Sequence, residues 1–463
     1  MTLIKSLSGI RGTIGGKSGE GLTPDNIIRF TAGYAQWIHD SGRTPKVVVG
    51  RDGRLSGEMV KQLVSGTLQS MGIEVTDIDL TTTPTIEMAV PEEEAGGGLM
   101  ITASHNPVDW NALKLLDEQG LFVGEEDSKK ILENADNESY TFSKVQQLGS
   151  IHPITTYPDY HINKILELPL VDTEAIKARK FKVVIDCVNS TGGIFVPKLL
   201  NALGVENTVE LFCAPNGRFP HTPEPLPENL GTLANEVRHQ DADLGFAVDP
   251  DVDRLSIVCE DGSFFGEEYT LVAIADYILA HQQGPVVANL STTRALEKVA
   301  EKHGCEYHAS AVGEAHVVKK MQETNAVIGG EGNGGVIYPA LHSGRDALVG
   351  IALFLSHLAQ QKKSCSKLRS TYPNFYMVKS KVKMEEDLDL GKILESVKDK
   401  YHKYPVNTED GVKISFGDDW VHLRKSNTEP IIRIYAESSS ETTAKNLADK
   451  IIVDIRNLIK ENV

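Results

Sequence analysis

Several function classes are excluded by what this chain lacks. It has five cysteines in 463 residues, Cys187, Cys213, Cys259, Cys305 and Cys365. Their number is odd and they form no CxxC pair, so they read as reduced thiols in a cytosol, with no zinc site. Positive charge is scarce: 47 Lys and Arg face 64 Asp and Glu, a net charge of -17. That balance excludes the basic stripe a nucleic-acid-binding surface needs, so an anionic substrate must be held by a local cationic pocket. No apolar run approaches membrane-spanning length, and the opening residues Met1 to Ser6 lack the apolar stretch of a signal peptide. The expectation is a cytoplasmic protein with neither a membrane nor a nucleic-acid partner. The Gly-x-Ser-x-Gly elbow is also missing, Gly16-Lys17-Ser18 lacks the leading glycine of a full P-loop, and Gly-x-Gly-x-x-Gly occurs only inside the glycine run Gly329 to Gly335. Dinucleotide, P-loop nucleotide and triad-hydrolase readings are correspondingly poor.

What remains is an ordinary globular composition, 40% hydrophobic and 24% charged, on a chain too long for one core. Short apolar β-rich runs such as Lys46–Gly50, Phe181–Asp186, Leu244–Val248 and Val286–Leu290 alternate with helical patterns, as in Ser56–Met71 and Thr293–His303. This alternation predicts α/β layers with parallel or mixed sheets. The last hundred residues differ. Met377–Met384, Val412–Phe416, Trp420–Arg424 and Ile431–Ala436 look like strands and Thr442–Ile459 like an amphipathic helix. The expected fold is three α/β domains over residues 1–150, 151–255 and 256–370, followed by a smaller α+β domain over 371–463, with boundaries near 150, 255 and 370.

Chemistry concentrates in loops. Thr102-Ala103-Ser104-His105-Asn106-Pro107 offers a hydroxyl just beyond the apolar run Leu99-Met100-Ile101. Ligands gather beyond strand C-terminal ends in such sheets. Ser104 reads as an exposed turn serine, a weak nucleophile that needs activation. Asp249-Pro250-Asp251-Val252-Asp253-Arg254 places three carboxylates at alternate positions. In an extended loop they point to one side and suit a hard cation such as Mg²⁺, while Arg254 is placed to orient a phosphoryl group. Arg424, Ser426, Asn427 and Thr428, with Arg433 behind them, make a cradle for a phosphate that does not react. Gly329 to Gly335 is glycine-dense, with Glu331 and Asn333 suited to sugar hydroxyls. Each loop also has a bland reading as a polar turn; together, nucleophile, metal and phosphate anchor are the parts of phosphoryl transfer.

In these motifs and their order the chain resembles the α-D-phosphohexomutase superfamily. The order runs from Ser8-Gly9-Ile10-Arg11-Gly12 through the serine, metal and Gly-Glu loops to the Arg-x-Ser-x-Thr loop. The resemblance implies four domains around a central cleft, three with a related core. It implies that Ser104 carries the phosphoryl group and, with Asp249, Asp251 and Asp253, holds Mg²⁺. Lys114 matches the family's candidate acid/base, Arg11 and His105 match supporting residues, and Glu331 and Asn333 would hold the sugar. Two departures stand out: Asn111-Ala112 where the family has Asn-Gly, and a sugar loop lacking the usual Ser and His.

The reaction so implied interconverts a hexose or hexosamine 6-phosphate and 1-phosphate through phosphoserine and a 1,6-bisphosphate intermediate. Lys114 and His105 then need pKa values near working pH, which Arg11 and Arg254 would favour for the lysine. Glu314 and Glu331 suit an ammonium at C2, so the expected substrate is glucosamine 6-phosphate. Asn427 fits a phosphomannomutase/phosphoglucomutase as the alternative, and Glu429 the phosphoglucosamine branch. A metal-dependent sugar phosphatase leaves the second cradle without a role. A sensor would be favoured only by loss of Ser104 or an aspartate. The oligomeric expectation is a monomer or homodimer.

Overall fold

A computed structural model describes residues 2–6, 9–383, 390–425 and 431–462. Ser426, Asn427 and Thr428 of the expected cradle lie outside the described residues, as does Glu429. The chain divides into two compact units, Met1–Thr270 with Asn333–Leu368, and Leu271–Gly332 with Arg369–Val463.

In the first unit the strands β1 (Leu3–Ser6), β2 (Gly9–Thr13), β3 (Lys46–Arg51), β4 (Glu74–Leu80), β5 (Gly97–Ile101), β6 (Trp110–Leu116) and β7 (Ile151–Pro153) form a mixed sheet. Their order is β1-β2-β6-β5-β3-β4-β7. Its centre, β5-β3-β4, is parallel, whereas β6 returns antiparallel to β5. The alternation of side chains explains why β3 is apolar throughout. Val47 and Val49 pack with Leu99 and Ile101 in one cluster, while Val48 packs with Met100 in another. Both faces of the strand are covered, as in buried parallel sheets. A second sheet contains β8 (Lys182–Asp186), β9 (Asn207–Leu211), β10 (Leu244–Val248) and β11 (Leu255–Cys259), in the order β11-β10-β8-β9. Here β10 runs parallel to β8 and turns back antiparallel into β11.

In the second unit β12 (Val286–Asn289) lies parallel between β13 (Tyr307–Ser310) and β14 (Ile328–Glu331), and the next strand, β15 (Gly335–Ile337), belongs to the first unit. Beyond it β16 (Tyr376–Lys383), β17 (Val406–Asn407), β18 (Val412–Phe416), β19 (Asp419–Lys425) and β20 (Ile431–Ser438) form an antiparallel sheet, ordered β16-β20-β19-β18-β17. The sheet alternates cleanly. Val421, Leu423, Ile432, Ile434 and Ala436 pack against Ala448, Ile451 and Ile455 of the helix Glu441–Asn462. Period two then sends His422, Arg424, Arg433 and Tyr435 to the opposite face. The α/β units with an α+β C-terminal part agree with the expected fold class. No helix among the described residues is long and apolar enough to cross a membrane.

Candidate active site

The serine loop follows β5 directly, and Ser104 adopts a left-handed backbone with φ of +49°. Ser104 is buried, at 7% exposure, which corrects the expectation of an exposed turn serine. The cause is a set of tertiary contacts that a local reading misses. Arg54, itself buried, donates from Nη2 to the carbonyls of Ser104 and Asn106, each at 2.6 Å. It also donates from Nη1 to Pro107 O at 2.7 Å and Trp110 O at 2.9 Å. Asp52 Oδ2 accepts from Arg54 Nε at 3.1 Å and from Thr102 Oγ1 at 2.7 Å. Thr102 Oγ1 in turn accepts from Ser104 N at 2.9 Å. One arginine thus satisfies four loop carbonyls, and its planar fork fixes the loop in a conformation a non-glycine residue seldom adopts.

The acid loop closes the antiparallel turn between β10 and β11, where Val248 pairs with Leu255. Asp249, Asp251 and Asp253 are wholly buried, and one oxygen of each lies within 4.8 Å of the others. Asp249 Oδ1 accepts from the backbone N–H groups of Asp253 and Arg254 at 3.1 and 3.2 Å. Its Oδ2 accepts from Ser104 Oγ at 2.7 Å. Asp251 Oδ2 accepts from Thr83 Oγ1 at 2.5 Å and from Lys114 Nζ at 2.6 Å. Asp253 Oδ2 accepts from Arg345 Nη2 at 2.7 Å. The other oxygens, Oδ1 of Asp251 and of Asp253, have no hydrogen-bond partner. Two orphaned carboxylate oxygens inside a buried triad form a donor set that fits a hard divalent cation.

Electrostatics around the triad follow from this crowding. Burial pushes the Asp249 carboxyl well above its ordinary range, and the neighbouring Asp253 and Asp251 charges add to it. For Asp251 burial works the same way, but the Lys114 ammonium overcomes it and the group is held low. Burial pulls Lys114 down, yet Asp251 and Asp253 outweigh it and its pKa is raised. This corrects the expectation that the lysine titrates near working pH, because its nearest partners are carboxylates and not the flanking arginines. His105, 3.3 Å from Ser104 Oγ through Nδ1, is pushed well down by burial and then by Arg254 and Arg11. Arg11 is itself lowered by burial and by Arg254, and its Nη1 donates to Asn106 Oδ1 at 3.4 Å. Arg254 pairs with Glu224 at 3.5 Å. Thus Ser104, His105, Lys114, Arg11, Arg254 and the three aspartates gather in one place. Asn333, assigned to the sugar, accepts through Oδ1 from Gly335 N at 3.2 Å within its own turn.

The second unit holds the remaining candidates. His422 pairs with Tyr435 and Arg424 pairs with Arg433 across β19 and β20. Like charges directly opposite each other cost stability unless an anion joins them. Ser291, His422, Arg424, Arg433 and Tyr435 line one pocket. Arg424 Nε lies 2.6 Å from Asp410 Oδ2. Glu331, at the end of β14, accepts through Oε1 from Asn289 Nδ2 at 2.8 Å and from Gly313 N at 3.1 Å. Gly313, with φ of +123°, leads into the helix Glu314–Thr324, so Glu314 starts the turn next to the anchor of Glu331. Both carboxylates are buried.

Sequence reasoning missed Arg54, Arg345, Thr83, Ser291, His422 and Tyr435. Arg54 was within reach, since Arg51-Asp52-Gly53-Arg54 stands at the end of β3 as Ser104 stands beyond β5. Ser291, just past β12, gave the same signal.

Profiles of one family match along the chain in order. They are the phosphoglucomutase/phosphomannomutase alpha/beta/alpha domains I, II and III over residues 3–142, 159–262 and 266–375, and the C-terminal domain over 377–453. The chain belongs to the phosphoglucomutase/phosphomannomutase family. Enzymes of this family are phosphohexomutases, isomerases of carbohydrate metabolism, and the chain is one of them. It is 36% identical to a phosphoglucomutase/phosphomannomutase of Thermococcus kodakarensis, over 94% of this chain and 95% of that one. It is 33% identical to a probable phosphoglucosamine mutase of Methanopyrus kandleri, over 98% of both. The crystal structure of a phosphoglucomutase/phosphomannomutase family protein from Burkholderia thailandensis matches with a TM-score of 0.84 at 25% identity, covering 98% of both chains.

Proposed function

We propose that this phosphohexomutase acts on glucosamine 6-phosphate, converting it to glucosamine 1-phosphate through phosphorylated Ser104 and a bound 1,6-bisphosphate. The carrying observation is the pair of buried acids, Glu314 and Glu331, joined through Gly313. Two carboxylates held out of water favour an ammonium at C2 over a hydroxyl, by roughly ten-fold even for one contact. The relatives named phosphoglucosamine mutase support the same reading. The alternative, glucose or mannose phosphate, is favoured by the name of the Thermococcus relative.

In the proposed reaction the bond between phosphorus and Ser104 Oγ breaks as a sugar hydroxyl oxygen bonds to phosphorus. Ser104 Oγ takes up the proton that the sugar hydroxyl releases, passed on by His105 whose Nδ1 lies 3.3 Å away, and ends as the hydroxyl that donates to Asp249. His105, kept neutral, suits the group that accepts the sugar's proton, and Lys114, kept charged, suits the one that donates when the second phosphoryl group returns. Arg11 and Arg254 face the phosphoryl oxygens, and Glu331 and Asn333 the sugar. Asp249, Asp251, Asp253 and Ser104 are the residues proposed to hold Mg²⁺, which when bound supplies positive charge against the phosphoryl oxygens. Arg424 and Arg433, with Ser426, Asn427 and Thr428, anchor the phosphate that is not reacting. The reading further takes the four domains as 1–150, 151–255, 256–370 and 371–463. It describes a cytoplasmic monomer or homodimer that needs neither nucleic acid nor membrane.

Coupled assays with glucosamine, glucose and mannose phosphates side by side test the substrate. The highest kcat/KM is expected for glucosamine phosphate, with the preference reduced in Glu314→Gln. A higher kcat/KM for either other sugar overturns it.

A further inference from the structure

Apart from the acid loop, the first unit encloses a second cluster of donors that the reaction does not use. His161 comes from the helix Tyr157–Leu166. His342 and Asp346 come from the segment leading into the helix Ala347–Gln361. One donor atom from each of the three lies within 4.8 Å of the others. His161 and Asp346 side chains are wholly buried and that of His342 is 10% exposed. His161 Nε2 lies 2.9 Å and His342 Nε2 3.5 Å from the same atom, Asp346 Oδ2. His342 Nε2 is buried and has no partner at hydrogen-bond geometry.

The surroundings hold each donor in place. Asp346 Oδ1 caps the helix Ala347–Gln361, accepting from Leu348 N at 2.7 Å and Val349 N at 3.3 Å. That fixes the carboxylate with Oδ2 turned to the two imidazoles. His161 Nδ1 lies 2.8 Å from Thr85 Oγ1, which is 2.6 Å from Thr82 Oγ1. The Thr85 hydroxyl can therefore pass its own hydrogen to Thr82 and accept one from His161. His342 Nδ1 lies 3.4 Å from Glu87 Oε2. Glu87 reaches it because residue 344 is glycine: a Cβ there would collide with the Glu87 carboxylate.

We propose that His161, His342 and Asp346 form a binding site for a borderline divalent transition ion of the zinc class. Two imidazole nitrogens and one carboxylate oxygen suit such an ion, whereas Mg²⁺ takes oxygens alone. Metal-bound histidines direct the other ring nitrogen to a hydroxyl, carbonyl or carboxylate that sets tautomer and orientation. Thr85 and Glu87 stand at those positions. A purely hydrogen-bonded cluster explains His161 but leaves the buried His342 Nε2 with only a long, 3.5 Å approach to Asp346 Oδ2 in place of a hydrogen bond, which is costly. The ion accounts for both rings. It would clip together the helix Thr83–Glu92, the helix Tyr157–Leu166 and the start of the helix Ala347–Gln361. The expectation of no zinc site rested on cysteine spacing, which is silent about histidines separated by 181 residues.

The test uses the full chain, stripped with a chelator and titrated with Co²⁺ in excess Mg²⁺, followed by visible absorption. The wild type is expected to bind one Co²⁺ that His342→Ala does not, and Zn²⁺ to raise the wild type's melting temperature but not the variant's. Glu87→Gln is expected to keep that stoichiometry and weaken affinity by about 10–100-fold. Uptake at the acid loop appears equally in all three proteins and cancels. If His342→Ala does not fold, His342→Gln is read in the same way. A wild type that binds no more Co²⁺ than the His342 variant overturns the site, whatever the outcome for mutase activity.

Discussion

The serine and acid loops of the first unit contrast with the arginine pocket of the second. The serine loop itself is tied down by hydrogen bonds through Arg54, Asp52, Thr102 and Asp249. Arg424 itself is held by an ion pair to Asp410, while Arg433 stands exposed. A group that must pass a phosphoryl between two oxygens has to be fixed to within a fraction of an ångström, and fixing it requires burial and saturated hydrogen bonding. A phosphate that is only held needs charge and little else. On the roles proposed for them, the two sites should differ in rigidity because their tasks differ.

The largest effect is expected at the rigid site. Ser104→Ala should lower turnover by at least about a thousand-fold, and intact-mass analysis should find an added phosphate on wild type but none on the variant. Because the serine is buried, the change also leaves Asp249 Oδ2 without its donor. Chemical denaturation should register a loss of about 1–3 kcal/mol. Near-wild-type activity would remove Ser104 from the mechanism.

Next comes Asp251→Asn, for which roughly a hundred-fold drop in turnover is expected. In the wild type, EDTA should silence activity and Mg²⁺ restore it. Full turnover in metal-free buffer contradicts the assignment of the acid loop.

Arg424→Ala probes the looser site. Loss of a charged, two-pronged contact is worth about 1.5–3 kcal/mol, so apparent affinity should fall by roughly ten- to a hundred-fold. Transfer from Ser104 to water should barely change. Equal losses in hydrolysis and isomerisation would erase the contrast between the sites and favour a simple esterase.

The smallest effect is a pH dependence of folding. Burial, aided by Lys413 and Arg424 and opposed by the Asp410 carbonyl, lowers the His422 pKa from its usual 6.5 to about 4. The unfolded chain takes up the proton first, so this stability is present above pH 6.5 and is lost as pH falls toward 4. It amounts to at most about 3 kcal/mol. Denaturation curves of wild type and His422→Asn should converge across that window; parallel curves would rule out the buried neutral imidazole.

Strands were legible because each carries its own periodicity. Val412–Phe416 and Leu244–Val248 were read with their observed bounds. Placement of Ser104 and the aspartates was legible too, since strand ends locate ligand loops. What escaped was set by long-range contact. Arg54 meets the serine loop fifty residues later in sequence, and Arg345 meets Asp253 from 92 residues away. Neither the burial of Ser104 nor the high pKa of Lys114 could be seen without those partners.

Arg345 and Asp346 are consecutive but face different tasks: the first bonds to Asp253, and the second caps the helix Ala347–Gln361 through the amides of Leu348 and Val349. A single peptide unit therefore joins the acid loop to a helix end. The two amide protons are then expected to act as natural spectroscopic reporters whose chemical shifts respond to a cation on Asp346 directly and to one in the acid loop through Arg345.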